Sequence, residues 1–255
     1  MIYPTVSVVI TTYNRPKALK RAIESALKQT LKPLEILVCE DGSSVEVEQI
    51  ITSFNCPQIK RLSASHAGRP AIPRNRGVHV AQGEWLAFLD DDDLWLPDKL
   101  ERQIDLAQAS GCRAVCTNAW RIQNGKRMGT YFSLPLPAEF SFWQLLRANL
   151  VICSSSIVHH DLFEEVIGFP EAETLRAIED YALWLRVAAL TNFAYLPEPL
   201  LEYTDEPTVS IRNDGGTVQR QKFYVLQDFS NWARNANQVY FFLMVKLLSL
   251  TFKIV

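Results

Sequence analysis

Between residues 6 and 109 the chain switches repeatedly between two hydrophobic periods, and few folds can use such a pattern. Residues 6–11 are dominated by β-branched side chains, as a strand buried on both faces requires. From Pro16, a residue favoured in a first helical turn, Leu19, Ala22, Ile23, Ala26 and Leu27 recur at the spacing of a helix lying on a sheet. The alternation continues with strands at 35–39, 59–63 and 85–89 and helices at 45–54, 74–81 and 97–109. Strand, helix, strand at this spacing implies βαβ units. The fold class expected is α/β, a Rossmann-like, mainly parallel sheet flanked by helices.

The second half is less regular. Residues 114–117, 126–131 and 152–158 read as strands, and 142–147 and 178–190 as helices. Asp161 reads as the N-cap of a short helix ending before Gly168. No linker or repeat separates the halves, so 1–110 and 111–205 are expected to share one sheet in one domain, followed by a helical extension, 206–255.

Ligands of such sheets bind beyond the carboxyl ends of the strands. The residues there are polar: Thr11-Thr12-Tyr13-Asn14, Glu40-Asp41-Gly42-Ser43 and the run Asp90-Asp91-Asp92-Asp93. Four adjacent carboxylates repel and raise one another's pKa unless a cation neutralises them. In extended chain Asp90 and Asp92 point the same way, and such a pair suits Mg2+ or Mn2+ completed by phosphate oxygens. The alternative is a solvated acidic loop capping the next helix. Asp41 can accept the N3–H of a uracil or thymine, although Asp-Gly-Ser alone is ordinary turn chemistry. Asp180, at the start of a helix, has the position of a cap and the chemistry of a general base for an acceptor hydroxyl. Arg74, read as opening the third helix, brings a cation near these groups. His66, His79, His159 and His160 show no ligand or triad spacing.

Balanced charge, 26 basic against 28 acidic residues, argues against nucleic acid as a partner. Five cysteines without CxxC spacing read as small buried hydrophobes rather than a disulfide framework. The N-terminus shows neither a basic stretch nor a long apolar run, so a cytoplasmic protein is expected. No GxSxG or Walker sequence occurs.

Taken in order, four segments resemble the inverting family 2 glycosyltransferases with the GT-A fold. They are residues 6–15, the Cys39-Glu40-Asp41-Gly42-Ser43 turn, the stretch from Arg74 through the aspartate run, and Glu179-Asp180-Tyr181 with the apolar residues that follow. The resemblance covers about residues 5–205. It implies a nucleoside-diphosphate sugar as donor, UDP foremost, and a glycan or lipid-linked acceptor. It further implies donor contacts from Thr11, Tyr13, Asn14, Arg15, Glu40, Asp41, Arg74, Asp90 and Asp91, with Asp92 and Asp90 holding Mg2+ or Mn2+. Asp180 would be the base. Glu40 departs from the family pattern, where an aspartate is usual.

Residues 239–255 are almost wholly apolar, with Lys246, Ser249 and Lys253 as a narrow polar stripe. The segment is short for a spanning helix. Contact with the inner face of the cytoplasmic membrane and packing on the domain are both open. Two other functions fit parts of the pattern: a non-catalytic sugar-nucleotide scaffold, and a sugar-nucleotide nucleotidyltransferase. The second would need a glycine-rich basic loop after the first strand, where the chain has Thr-Tyr-Asn-Arg-Pro.

Overall fold

The structure is a computed structural model that describes residues 3–206 and 217–251. Its first part comprises β1 (Val6–Thr12), α1 (Pro16–Leu27), β2 (Glu35–Asp41), α2 (Val45–Ser53), β3 (Ile59–Ala64), α3 (Ala71–Val80) and β4 (Trp85–Asp90). Then follow β5 (Leu94–Trp95), α4 (Lys99–Ser110), β6 (Ala114–Gln123), β7 (Lys126–Thr130), β8 (Glu139–Phe140) and α5 (Phe142–Leu145). A 3-10 turn (Cys153–Ser155) leads into β9 (Ile157–His159) and α6 (His160–Val166). A second 3-10 turn (Glu173–Leu175) precedes α7 (Glu179–Ala188), β10 (Phe193–Thr204), α8 (Val218–Asn235) and α9 (Val239–Thr251).

All the strands join one ten-stranded sheet, with the order β3-β2-β1-β4-β9-β6-β10-β5 and with β7 and β8 pairing beside β6 and β10. β1 is parallel to both β2 and β4, and β2 is parallel to β3. The chain therefore winds outward from β1 to β3 and returns to β4 on the other side of β1. This reversal opens a crevice at the carboxyl ends of β1 and β4, where an open α/β sheet binds its ligand. The α/β fold read from the sequence, a largely parallel sheet flanked by helices, is the fold observed.

Strand period two divides the core. Val9, Leu37, Cys39, Leu86 and Phe88 face a cluster that includes Phe163, Phe169 and Trp184. Val8, Ile10, Ile36 and Val38 face α1 and α4 through Leu19, Ile23, Leu100 and Ile104. Helix α3 lies close on the sheet because Gly77 has no side chain. A Cβ there would fall 2.5 Å from Cys39 Sγ and 2.8 Å from a Val9 methyl.

Several expectations are corrected. α3 begins at Ala71, so Arg74 sits inside it rather than opening it. The run 152–158 is not one strand: Ile152 caps a 3-10 turn that buries Ser154 and Ser155 before β9 starts. α6 starts at His160 with His159 as N-cap, leaving Asp161 in its first turn. β10, absent from the sequence reading, is the longest strand; its prolines Pro197 and Pro199 coincide with register shifts against β6. Strands tolerate proline only at such irregularities.

The tail packs on the domain. Phe241 meets Phe142 with ring centroids 4.6 Å apart, and Val245 is buried. Val239, Tyr240 and Leu243 are exposed. No helix among the described residues is long and apolar enough to cross a membrane. The side chains of Ser249 and Lys253, two of the three polar-stripe residues, lie outside the described residues, as do 207–216 of the extension. All five cysteines are free, and four of them are buried.

Candidate active site

The aspartate run divides by direction. Asp91 and Asp93 are buried, while the side chains of Asp90 and Asp92 are about a third exposed, at 32% and 38%. Asp91 takes a 2.7 Å hydrogen bond from the Thr12 hydroxyl and a 3.3 Å contact from Arg15, tying the end of β1 to the end of β4. Asp93 accepts the Thr204 backbone N–H at 2.8 Å and so holds the end of β10. Asp91 was expected at the donor; the structure turns it inward instead. Asp90 and Asp92 open on the crevice, with Arg15 on Asp92 at 2.7 Å and Thr11 on Asp90 at 3.1 Å.

This crowding of carboxylates is electrostatically unfavourable. Burial and then the charge of Asp92 push Asp91 up to about 7, against the stabilising bonds of Thr12 and Arg15. Burial and Asp90 raise Asp92; burial and Asp92 raise Asp93 well above the carboxylate range. A divalent cation at Asp90 and Asp92 would relieve this repulsion. Among the described residues no three His, Cys, Asp or Glu side chains form a complete cage. One or two carboxylates completed by phosphate oxygens is the usual manner of Mg2+, and the outward pair fits that pattern.

Arg74 is placed where the sequence reading did not put it. Expected at the nucleoside, its side chain is only 6% exposed and bridges two carboxylates, Asp90 at 2.6 Å and Glu179 at 2.6 Å. Burial opposes its charge, but Asp90, Cys153 and Glu179 outweigh burial and keep it protonated. Glu179 begins α7, so this bridge fixes the helix that carries Asp180 to the strand that carries Asp90. Beneath it, Ser154 Oγ accepts the Asp90 N–H at 3.0 Å. The buried Cys153 thiol is pushed up by burial and, against Arg74, by Asp90, Asp180 and Glu179. One thiol thus feels the carboxylates of both regions.

On the other side of β1, Asp41 closes β2 and accepts the N–H groups of Ala67 at 2.7 Å and Gly68 at 2.9 Å. His66 Nδ1 lies 3.0 Å from Asp41, and its ring stacks on Tyr13 with centroids 4.0 Å apart. Gly42, at φ +144, lets the turn pass beneath the Tyr13 ring. His66, which its spacing did not single out, thereby joins Tyr13 in a half-exposed aromatic platform beside Asn14 and Arg15. Glu40, expected at the donor, is instead an internal anchor, 1% exposed. It takes Ser44 N–H at 2.7 Å and Arg61 Nε at 3.0 Å. Sequence reasoning gave no role to His66 or Ser154; Thr12, inside the quoted Thr-Thr-Tyr-Asn run, and Glu179, inside the quoted Glu-Asp pair, left a local signal but no role.

Asp180 lines a cavity of about 330 Å³ walled by the residues that follow β7, the 147–152 segment, the start of α7 and the first two turns of α8. Its Oδ1 accepts the Tyr181 N–H at 2.7 Å; the N-cap of α7 is Ile178, and Asp180 is a first-turn acid of the kind the helix dipole favours. Ala177 enters the helix at φ +67, a strained conformation for a residue with a Cβ, of the kind that clusters at functional sites.

The family model described as Glycosyl transferase family 2 matches residues 7–166. The UDP-Glc:alpha-D-GlcNAc-diphosphoundecaprenol beta-1,3-glucosyltransferase WfgD of Escherichia coli is 30% identical over 189 residues, 74% of this chain and 72% of that protein. The Escherichia coli glucosyltransferase WfaP of the same description is 30% identical over 182 residues, 71% of this chain and 69% of its own. Among solved structures, residues 1-349 of S. aureus TarS in complex with UDP-GlcNAc superpose with a TM-score of 0.74 at 18% identity. That likeness covers 97% of this chain and 73% of the other, and it places the fold among the GT-A structures. The chain belongs to glycosyl transferase family 2 and is a glycosyltransferase.

Proposed function

We propose that the protein moves a sugar from a nucleoside-diphosphate donor, UDP foremost, to a hydroxyl of a glycan or lipid-linked acceptor, inverting the anomeric centre. The observation that carries this reading is the placement of two carboxylate sets. Asp90 and Asp92 open at the β1–β4 crevice, and Asp180 opens on a separate cavity, with the Arg74 bridge joining them. The Tyr13–His66 platform with Asp41 would receive the base, and Thr11, Asn14 and Arg15 the rest of the nucleotide. The named activities of the Escherichia coli relatives, glucose transfer from UDP-Glc to a diphosphoundecaprenol-linked sugar, support this choice of donor and acceptor and a role in polysaccharide biosynthesis.

In this mechanism Asp180 takes the proton of the acceptor hydroxyl as its oxygen bonds to the anomeric carbon. The bond from that carbon to the diphosphate oxygen breaks, and the diphosphate leaves with the electron pair. Attack from the face opposite the leaving group inverts the centre in one displacement, and no covalent sugar–enzyme intermediate forms. Mg2+ or Mn2+ held by Asp92 and Asp90 would supply charge neutralisation for the leaving diphosphate. The exposed face of α9, Val239, Tyr240 and Leu243, offers peripheral contact with a membrane carrying such an acceptor.

Calorimetric titration with UDP, GDP and dTDP, with and without Mn2+, tests this reading. Metal-dependent binding of one nucleotide, at least ~10-fold weaker in Asp92→Ala, is expected. Failure of all three to bind the wild type would refute it.

A further inference from the structure

Among the described residues the charged lining of the acceptor-side cavity is Asp180, Arg147 and Lys222, one positive charge in excess on a chain whose net charge is −2. Three other partly exposed arginines sit on acids: Arg102 on Glu198 at 2.6 Å, Arg113 on Glu165 at 2.7 Å and Arg127 on Glu202 at 2.6 Å. Arg147 and Lys222 have no carboxylate within ion-pair distance among the described residues. Their nearest approach is to each other's element, Lys222 Nζ lying 3.4 Å from the Arg147 carbonyl oxygen.

Two cations against the single carboxylate of Asp180 leave the described lining with a positive charge in excess, as an anion would require. Arg147 follows α5 and Lys222 stands in the second turn of α8, so the site closes only when the C-terminal extension docks on the domain. The wall they share is otherwise suited to a sugar, with Tyr131 and Tyr181 as aromatic surface and Asn149 and Gln221 as amides. Phe223, next to Lys222, is half exposed on the same helix.

We propose that Arg147 and Lys222 bind the phosphoryl group of a phosphate-linked acceptor, fixing its sugar hydroxyl at Asp180. The proposal rests on the transferase reading for the role of Asp180 and deepens it by assigning two residues to the acceptor's phosphoryl group. Guanidinium and ammonium groups converging on phosphate are the ordinary means of such recognition. A neutral glycan end would leave both charges unused.

The test fills the donor site with UDP and excess Mg2+ and then titrates the protein with inorganic pyrophosphate, farnesyl diphosphate and farnesol. Wild type is expected to bind both diphosphates and not farnesol. Arg147→Ala/Lys222→Ala and Lys222→Glu are expected to bind both diphosphates at least ~10-fold more weakly, with UDP affinity and thermal midpoint unchanged. Tighter binding of farnesyl diphosphate than of pyrophosphate would identify a lipid-carried phosphate as the source, and equal binding a free one. Wild type binding neither diphosphate, or variants binding them as wild type does, would overturn the proposal. If UDP itself failed to bind, the transferase reading would fall, and the diphosphate titration would still decide for or against these two residues.

Discussion

The crevice at β1 and β4 and the cavity at α7 and α8 are built by opposite means. Around the crevice nearly every polar side chain already has a protein partner: Asp91 with Thr12 and Arg15, Asp41 with Ala67 and Gly68, Glu40 with Arg61. Those partners lie on neighbouring parallel strands and the turns that leave them, so the geometry is held before any ligand arrives. Preorganised donors and acceptors of this kind need no rearrangement when charge develops. The cavity is assembled from segment ends, with a strained Ala177 and two cations without carboxylate partners among the described residues. A fixed frame would suit the nucleotide part of the proposed donor, and a wall of segment ends the proposed acceptor.

Arg74 joins the two regions, and removing it is the largest way to break the comparison. Arg74→Met leaves Asp90 and Glu179 facing each other, Glu179 buried. A loss of roughly 3–5 kcal/mol in denaturant unfolding is expected, as for other broken buried pairs. Arg74→Lys, a point charge unable to bridge both acids as a fork does, should fall between. A loss under ~1 kcal/mol in Arg74→Met would mean that the halves are held together by packing alone.

A smaller effect is expected within the frame. Gly77→Ala places a methyl against Cys39 and Val9, and forcing α3 off the sheet should cost about 1–3 kcal/mol, as overpacking does. Donor affinity should fall with it, because α3 carries Arg74. Unchanged stability would show that α3 can shift freely, contrary to a preformed crevice.

Smaller still is the contribution of Lys99, buried with Gln103 as its hydrogen-bond partner at 2.6 Å and the Trp95 ring 4.2 Å from Nζ. Burial lowers its pKa well below the ordinary 10.5. The unfolded chain therefore keeps this proton to higher pH than the folded protein does. Across that interval, ending near 10.5, the unfolded state binds more protons and stability rises with pH. In Lys99→Met that part of the slope should vanish, as measured by unfolding at several alkaline pH values. Parallel profiles for the two proteins would show that Lys99 keeps its proton in the folded state.

The same contrast explains what could be read from the sequence. Strands β1, β2 and β4 are legible because burial on both faces leaves apolar runs, and α1 because a helix on a sheet leaves a stripe; the half-exposed β3 is legible from its place in the alternation. β10 hides because Pro197 and Pro199 break the pattern that would announce it, and β5 and β8 are too short to show any period. Asp90, Asp92 and Asp41 stand out because polar residues following buried strands have few other reasons to be there. Arg74 was misplaced because its partner Glu179 lies 105 residues away, and no local pattern encodes that pairing. Glu40 and Asp91 look like ligand contacts in sequence, yet their burial and their protein partners, visible only in three dimensions, make them supports.

The central claim is that Asp180 does chemistry while the crevice binds the donor, and Asp180→Asn tests it most directly. Transfer by the variant and UDP binding with Mn2+ would be measured on the same preparation. A ~10²–10⁴-fold loss of transfer, the usual scale for a lost general base, with nucleotide affinity kept, is the expected result. Transfer at the wild-type rate would contradict the assignment and leave Asp180 as a first-turn acid favoured by the helix dipole.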